Sequence, residues 1–140
     1  MFGGKPLNTK TLMTSTSLVL ALAGGVALFE PELLLSMFGT PATRQLSVLV
    51  QLMGTLYFAF ALMDWTAKDS AIGGIYARPV SLGNFAHFFA GALLLIRHQL
   101  SGLLNGFLVL VTIAYMIFAF LFYWLAFRAT GLPVETPAGK

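Results

Sequence analysis

The sequence predicts an all-α polytopic membrane protein, a four-transmembrane-helix bundle with a short interfacial helix after its first span. Three observations carry that prediction. Hydrophobic residues make up 58% of the chain and charged residues only 9%, against about a quarter charged in a soluble domain. Four apolar stretches each reach the roughly 20 helical residues needed to cross a hydrocarbon core. The eight basic residues lie at the ends of those stretches rather than in a cluster.

A mean hydropathy of +0.85 leaves too little polar surface to coat a water-soluble globule, so lipid has to serve as part of the solvent. The 140 residues are expected to form one domain, with 1–130 as the four-helix transmembrane unit and 131–140 as a flexible cytoplasmic tail. A net charge of +3 does not point to nucleic acid, because its basic residues form no patch, and no nucleic-acid partner is expected. The absence of cysteine excludes disulfides, thiolate metal sites and dithiol redox chemistry.

The first span runs from about Thr11 to Phe29. Its flanks, Lys5 and Lys10 before and Ala21-Leu22-Ala23 within, resemble a signal peptide with a small-residue cleavage site, but we expect the segment to be retained as a span. Pro31 disfavours helix at the residue before it and suits the first helical position, so a break is expected at Glu30-Pro31. A short amphipathic piece, Glu32 to Phe38, should then lie in the interface, closed by Gly39-Thr40-Pro41. The second span covers about Leu46 to Trp65, and Ala67 to Ala77 forms a loop. The third is expected from Pro79 to Ile96, ended by Arg97 and His98. After a tight turn at Ser101-Gly102, the fourth runs from about Leu103 to Phe127.

Orientation follows from the basic residues. Lys5, Lys10, Lys68, Arg78, Arg128 and Lys140 share one side, and only Arg44 and Arg97 lie on the other. The bias predicts an inner-membrane, multi-pass protein with both termini cytoplasmic. Trp65, Tyr76, Tyr123 and Trp124 would form an aromatic belt on that side. Gln45-Leu46-Ser47 with Phe58-Ala59-Phe60 and Trp65 echoes Gln99-Leu100-Ser101 with Phe118-Ala119-Phe120 and Trp124. Such an echo is what two helical hairpins in tandem would leave.

Polar side chains at bilayer depth are costly and are functional suspects for that reason. His87 falls near the middle of the third span, with Asn84 one turn away on the same face. Gly83 and Gly91 flank His87 and would let a helix approach. Gly54, Tyr57, Ala61 and Asp64 share one face of the second span. Tyr115 falls at mid-depth in the fourth, with Thr112 and Asn105 nearer the outside. Ala21 and Gly25 provide small residues on the first. A bundle burying these faces would gather Tyr57, Asp64, Asn84, His87 and Tyr115 into one patch, which we take as the candidate ligand-binding residues.

Three readings of that patch stand open. The residues could hold the helices together, with Asp64 at the headgroups paired to Lys68 or Arg78. Tyr57, Tyr115 and phenylalanines could wall an apolar cavity in which Asn84 and His87 orient a ligand. His87 and Asp64 could form a proton or ion path. Gln51 is expected to bond Asn105, and Arg44 to snorkel to headgroups. Gly24-Gly25 reads as a close-packing point and the Phe-rich fourth span as lipid-facing and core surface.

Enzymatic signatures are missing. His87 and His98 lie at different depths, without the three or four convergent ligands of a metal site. Glu30 and Glu32 are solvated interfacial acids. The sequence holds no nucleophile elbow and no phosphate-binding loop. No catalytic residue, metal or cofactor is therefore expected.

The Phe29-Glu30-Pro31-Glu32-Leu33-Leu34 element, Gly54-Thr55-Leu56-Tyr57, and the run Gly83-Asn84-Phe85-Ala86-His87-Phe88-Phe89-Ala90-Gly91 resemble small uncharacterised bacterial four-helix integral membrane proteins, similar in layout to the DoxX-like group. The resemblance implies the topology, and no site residue follows from it. The expectation for function is a non-enzymatic membrane protein binding a small apolar or lipid-like ligand, or a partner membrane protein. The alternative is a subunit of an oligomeric channel or transporter, which would act as a homo-oligomer because four helices make only a narrow pore.

Overall fold

The computed structural model describes residues 9–69, 77–102 and 105–128. Among the described residues the chain is all-α: α1 Thr9–Phe29, α2 Pro31–Met37, α3 Arg44–Ala67, α4 Ala77–Leu100 and α5 Gly106–Arg128. All but α2 are long and apolar enough to cross a membrane. The expected tail at 131–140 and most of the 67–77 loop lie outside the described residues.

Local chemistry sets the helix ends. Glu30 interrupts the helix and Pro31 opens α2, as its fixed φ allows. Behind α2, Gly39 turns into the left-handed region at φ +69°, and the N–H groups of Gly39 and Thr40 donate to the carbonyls of Ser36 and Leu35. α3 begins at Arg44, two residues before the expected start, because the Thr43 side chain caps it by accepting from the Leu46 N–H at 3.3 Å.

α4 departs from expectation at both ends. It begins at Ala77 rather than Pro79 and runs through Arg97 and His98 to Leu100. Basic residues favour the last turn of a helix and do not stop it; the stop comes at Gly102, with φ +99°. α5 starts at Gly106, later than Leu103, with Asn105 capping through its Oδ1, which accepts from the Phe107 N–H at 3.0 Å.

The helices pair as two hairpins, α1 with α3 and α4 with α5, the same division that the sequence echo suggests. Within the first hairpin the backbones nearly touch at Gly24 and Gly54, where a Cβ on Gly24 would lie 2.9 Å from the Gly54 carbonyl oxygen. Gly25, the glycine expected to pack, faces open space; the periodicity was out of phase by one residue. Ser17 adds a hydroxyl bond to the Ala61 carbonyl at 2.8 Å. Between hairpins, α3 and α4 meet through side chains rather than close backbone. The core there is Leu12, Met13, Leu20, Ala61, Phe88, Ala119 and Phe122. Outward, Leu22, Leu49, Leu56, Leu94, Leu110 and Phe120 stay exposed, the surface a bilayer would cover.

Candidate functional site

Two polar groups, not one, occupy the interior. In the first, Asp64 and Asn84 are both fully buried, and Asn84 donates its amide to Asp64 Oδ1 at 2.5 Å and to the Val80 carbonyl at 3.1 Å. Among the described residues, Asp64 Oδ2 and Asn84 Oδ1 have no partner. The expected pairing of Asp64 with Lys68 or Arg78 does not form. Asp64 lies on the buried stripe Gly54–Ala61–Asp64 of α3, so it points inward however close it is to the helix end. Lys68 instead sits 3.0 Å over the Trp65 ring, and Arg78 is exposed.

The second group lies one turn along α4. The hydroxyls of Tyr57 and Tyr115 share a hydrogen bond of 2.7 Å, and Tyr115 lies 3.4 Å from His87 Nε2. Aromatic rings enclose the imidazole: Phe60 stacks on it at 5.4 Å between centroids, and Tyr57, Phe88 and Tyr115 approach at 5.1–5.5 Å. Gly91 makes room for Tyr115, whose ring occupies the place a Cβ would take. Thus a side chain rather than a helix backbone uses the space beside His87. Gly83 is not closely approached; a Cβ there would lie 3.9 Å from Phe60 Cε1.

Two proton arrangements satisfy both bonds: His87 Nε2–H can donate to Tyr115 and Tyr115 to Tyr57, or the chain can run the other way. In the second, Tyr57 donates to Tyr115, Tyr115 donates to His87 Nε2, and the ring proton sits on Nδ1. Nδ1 forms no hydrogen bond among the described residues, and His87 and Tyr57 are only half-buried.

The five candidate residues thus fall into a pair, Asp64–Asn84, and a triad, Tyr57–Tyr115–His87. Phe60 was not singled out from the sequence, although it lies three residues from Tyr57 and four from Asp64 on the same stripe. Gln51 and Asn105 do not meet. Gln51 donates to the Leu28 carbonyl at 3.1 Å, one of the unsatisfied acceptors at the end of α1, and Asn105 donates to the Met37 carbonyl at 2.7 Å. Gln99, also overlooked, donates to Thr112 Oγ1 at 2.5 Å and ties α4 to α5.

Two cavities lie elsewhere. One of about 490 Å³ opens between α4 and α5 and is walled by apolar residues including Phe85, Phe89, Leu93 and Phe120. Another of about 570 Å³ lies at the opposite end from Asp64, among Phe38, Thr40, His98 and Asn105. Neither of these two is lined by Tyr57, His87 or Tyr115. Among the described residues no cluster of histidine and carboxylate side chains could hold a metal ion.

No family model, curated protein or solved structure matches the chain.

Proposed function

We propose that the chain is a non-enzymatic membrane protein that binds an apolar, lipid-like ligand carrying a hydrogen-bond acceptor, at the seam between α3 and α4. The observation that carries this reading is His87, a half-buried imidazole in the middle of a spanning helix whose Nδ1 lacks a partner among the described residues. A polar group in hydrocarbon gains from any acceptor that reaches it. A ketone, ester or ether oxygen on a bilayer-soluble molecule would accept from Nδ1–H, while Tyr57 and Tyr115 hold the ring and Phe60 stacks on its face. Entry would be lateral, at the seam where α3 and α4 make few close backbone approaches. Asp64 and Asn84 lie one turn away, bonded to each other, and set the spacing of the two helices.

The layout likeness to the DoxX-like group, the inner-membrane location and the cytoplasmic termini belong to the same proposal, supported by the six-to-two division of basic residues. A periplasmic reporter fused after Lys140 is expected to be inactive. The channel or transporter reading draws on the burial of Asp64, but the hydrogen bonds from His87 lead to Tyr115 and Tyr57 rather than to Asp64.

The test is retention of lipid. Protein purified in mild detergent is incubated with total lipid extract and its bound species are measured by mass spectrometry. The wild type is expected to keep a species that His87→Ala loses and Gly25→Ala keeps. Equal retention by all three would end the reading.

A further inference from the structure

Each spanning helix brings at least one fully buried side chain into the inner layer of the bundle, Met13, Asp64, Asn84 and Phe122 among them, all at 0% exposure. Water does not reach this layer, so its polar atoms have to satisfy one another. Asn84 has spent both amide protons, on Asp64 Oδ1 and on the Val80 carbonyl. What remains is a pair of acceptors, Asp64 Oδ2 and Asn84 Oδ1, neither with a donor. An ionised Asp64 would add an uncompensated charge to a dry layer, the costliest arrangement a protein interior can hold.

The chemistry of the pair suggests its own remedy. A carboxylic acid and a primary amide associate head to head: the amide N–H meets one carboxyl oxygen, and the acid O–H meets the amide oxygen. The first half of that pair is present. The two atoms left over are the two that the second half joins, and a single proton on Asp64 Oδ2 satisfies both. The geometry points to a buried proton-binding site: Asp64 holds one proton, shares it with the Asn84 amide oxygen, and so locks the α1–α3 hairpin to the α4–α5 hairpin.

The surroundings favour a proton over other cations. From α1 the layer receives Met13, with Thr16 a turn on; the nearest charge on that helix, Lys10, is exposed and bound to Asp69 at 2.8 Å. On α3 itself Lys68 is folded over Trp65. On α4, Arg78 is exposed in the first turn and His87 belongs to the tyrosine triad. From α5 comes Phe122, with Arg128 ending the helix. No described cation is placed against Asp64. A metal cation wants six or more oxygen ligands where it is a divalent hard ion, and this pair offers two. The hydroxyl of Thr9, one turn from Met13, is the other fully buried side-chain oxygen without a partner among the described residues.

Infrared spectroscopy of the full chain in nanodiscs at neutral pH tests this site. The wild type is expected to show a protonated carboxyl C=O band that disappears in Asp64→Asn. That variant supplies an amide N–H in place of the acid O–H and is expected to keep its thermal stability. Wild-type stability should fall as the pH is raised and the shared proton leaves, while Asp64→Asn stays flat. Asn84→Ala should move the band to the higher frequency of an acid that has lost its partner, which reads the sharing even if Asp64→Asn folds poorly. A wild-type spectrum without a band assignable to Asp64, or one unmoved by Asn84→Ala, overturns the proposal. So does stabilisation of the wild type by sodium or lithium over choline that is absent in Asp64→Asn, which would assign the site to a metal cation.

Discussion

Gly24 and Gly54 stand back to back across α1 and α3, each placed so that a Cβ on it would lie 2.9 Å from the other's carbonyl oxygen. The Gly54 position is closed further by Ala27 Cβ at 2.9 Å and the Leu28 nitrogen at 3.0 Å. Backbone atoms cannot turn aside as a flexible side chain can. Gly54→Ala is therefore expected to push the helices apart and destabilise the fold by about 1–3 kcal/mol. Gly25→Ala, which meets nothing within 4 Å, should be neutral or slightly stabilising through helix propensity. Unfolding in mixed detergent micelles compares the two. Equal stability of both variants would mean that the contact is not a packing point.

The Tyr57–Tyr115 bond at 2.7 Å joins the two hairpins at mid-helix. Interhelical hydrogen bonds in membranes average about 0.6 kcal/mol and reach about 1.7. Tyr57→Phe should cost about that much and Tyr115→Phe somewhat more, because it also removes the bond to His87; the double variant should cost little more than Tyr115→Phe alone, since the two changes delete the same Tyr57–Tyr115 bond. The same unfolding assay, run as a double-mutant cycle, gives the coupling. Full additivity would show that the two hydroxyls act independently.

How far the sequence reached can be judged at these residues. Hydropathy and Pro31 located the four spans and the interfacial helix, because span length and proline stereochemistry are local properties. The stripe Gly54–Ala61–Asp64 was legible from three- and four-residue spacing. Whether Asp64 met a lysine or an asparagine was not, because that depends on how α3 and α4 are rotated against each other. Depth counted from the centre of a span put Asp64 at the headgroups, whereas its face turns it into the bundle. The choice between Gly24 and Gly25 failed for a related reason: adjacent residues differ by about 100° around a helix, and two neighbouring glycines give no signal to choose between them. Nor did periodicity show that Tyr115, and not a backbone, fills the space at Gly91. Caps at Thr43 and Asn105 are local features of the sequence, but their signal is weak beside that of hydropathy.

Lys10 and Asp69 close the first hairpin at its open end with an exposed ion pair of 2.8 Å. The hydrogen bond from Lys10 holds the Asp69 carboxyl below the usual carboxylate range. A carboxyl depressed in the folded state contributes stability above its unfolded value, and that contribution is lost as the pH falls through the folded one. Acidification should therefore loosen this end first, and only slightly, because exposed pairs are screened. Hydrogen exchange of the first turn of α1 is expected to quicken in acid in the wild type more than in Asp69→Asn, after correction for the intrinsic exchange rate. Identical pH profiles would remove the pair from any role in holding the helix end.

Gly91 sits where the Tyr115 ring packs against α4, and a methyl group there would run into the ring carbons. The ring would have to swing, carrying its hydroxyl away from both Tyr57 and His87. Gly91→Ala is expected to destabilise the bundle by about 1–3 kcal/mol, as overpacking does, although it touches no polar atom itself. Gly83→Ala provides the control on the same helix, since a Cβ there would lie 3.9 Å from Phe60 Cε1, an ordinary contact. The diagnostic step is to add Tyr57→Phe to each. On the Gly83→Ala background the loss of the hydroxyl should cost what it costs in the wild type. On the Gly91→Ala background it should cost almost nothing, because the bond has already gone. Lipid retention should follow the same order, falling in Gly91→Ala and holding in Gly83→Ala. If Tyr57→Phe costs the same on both backgrounds, Gly91 does not position Tyr115.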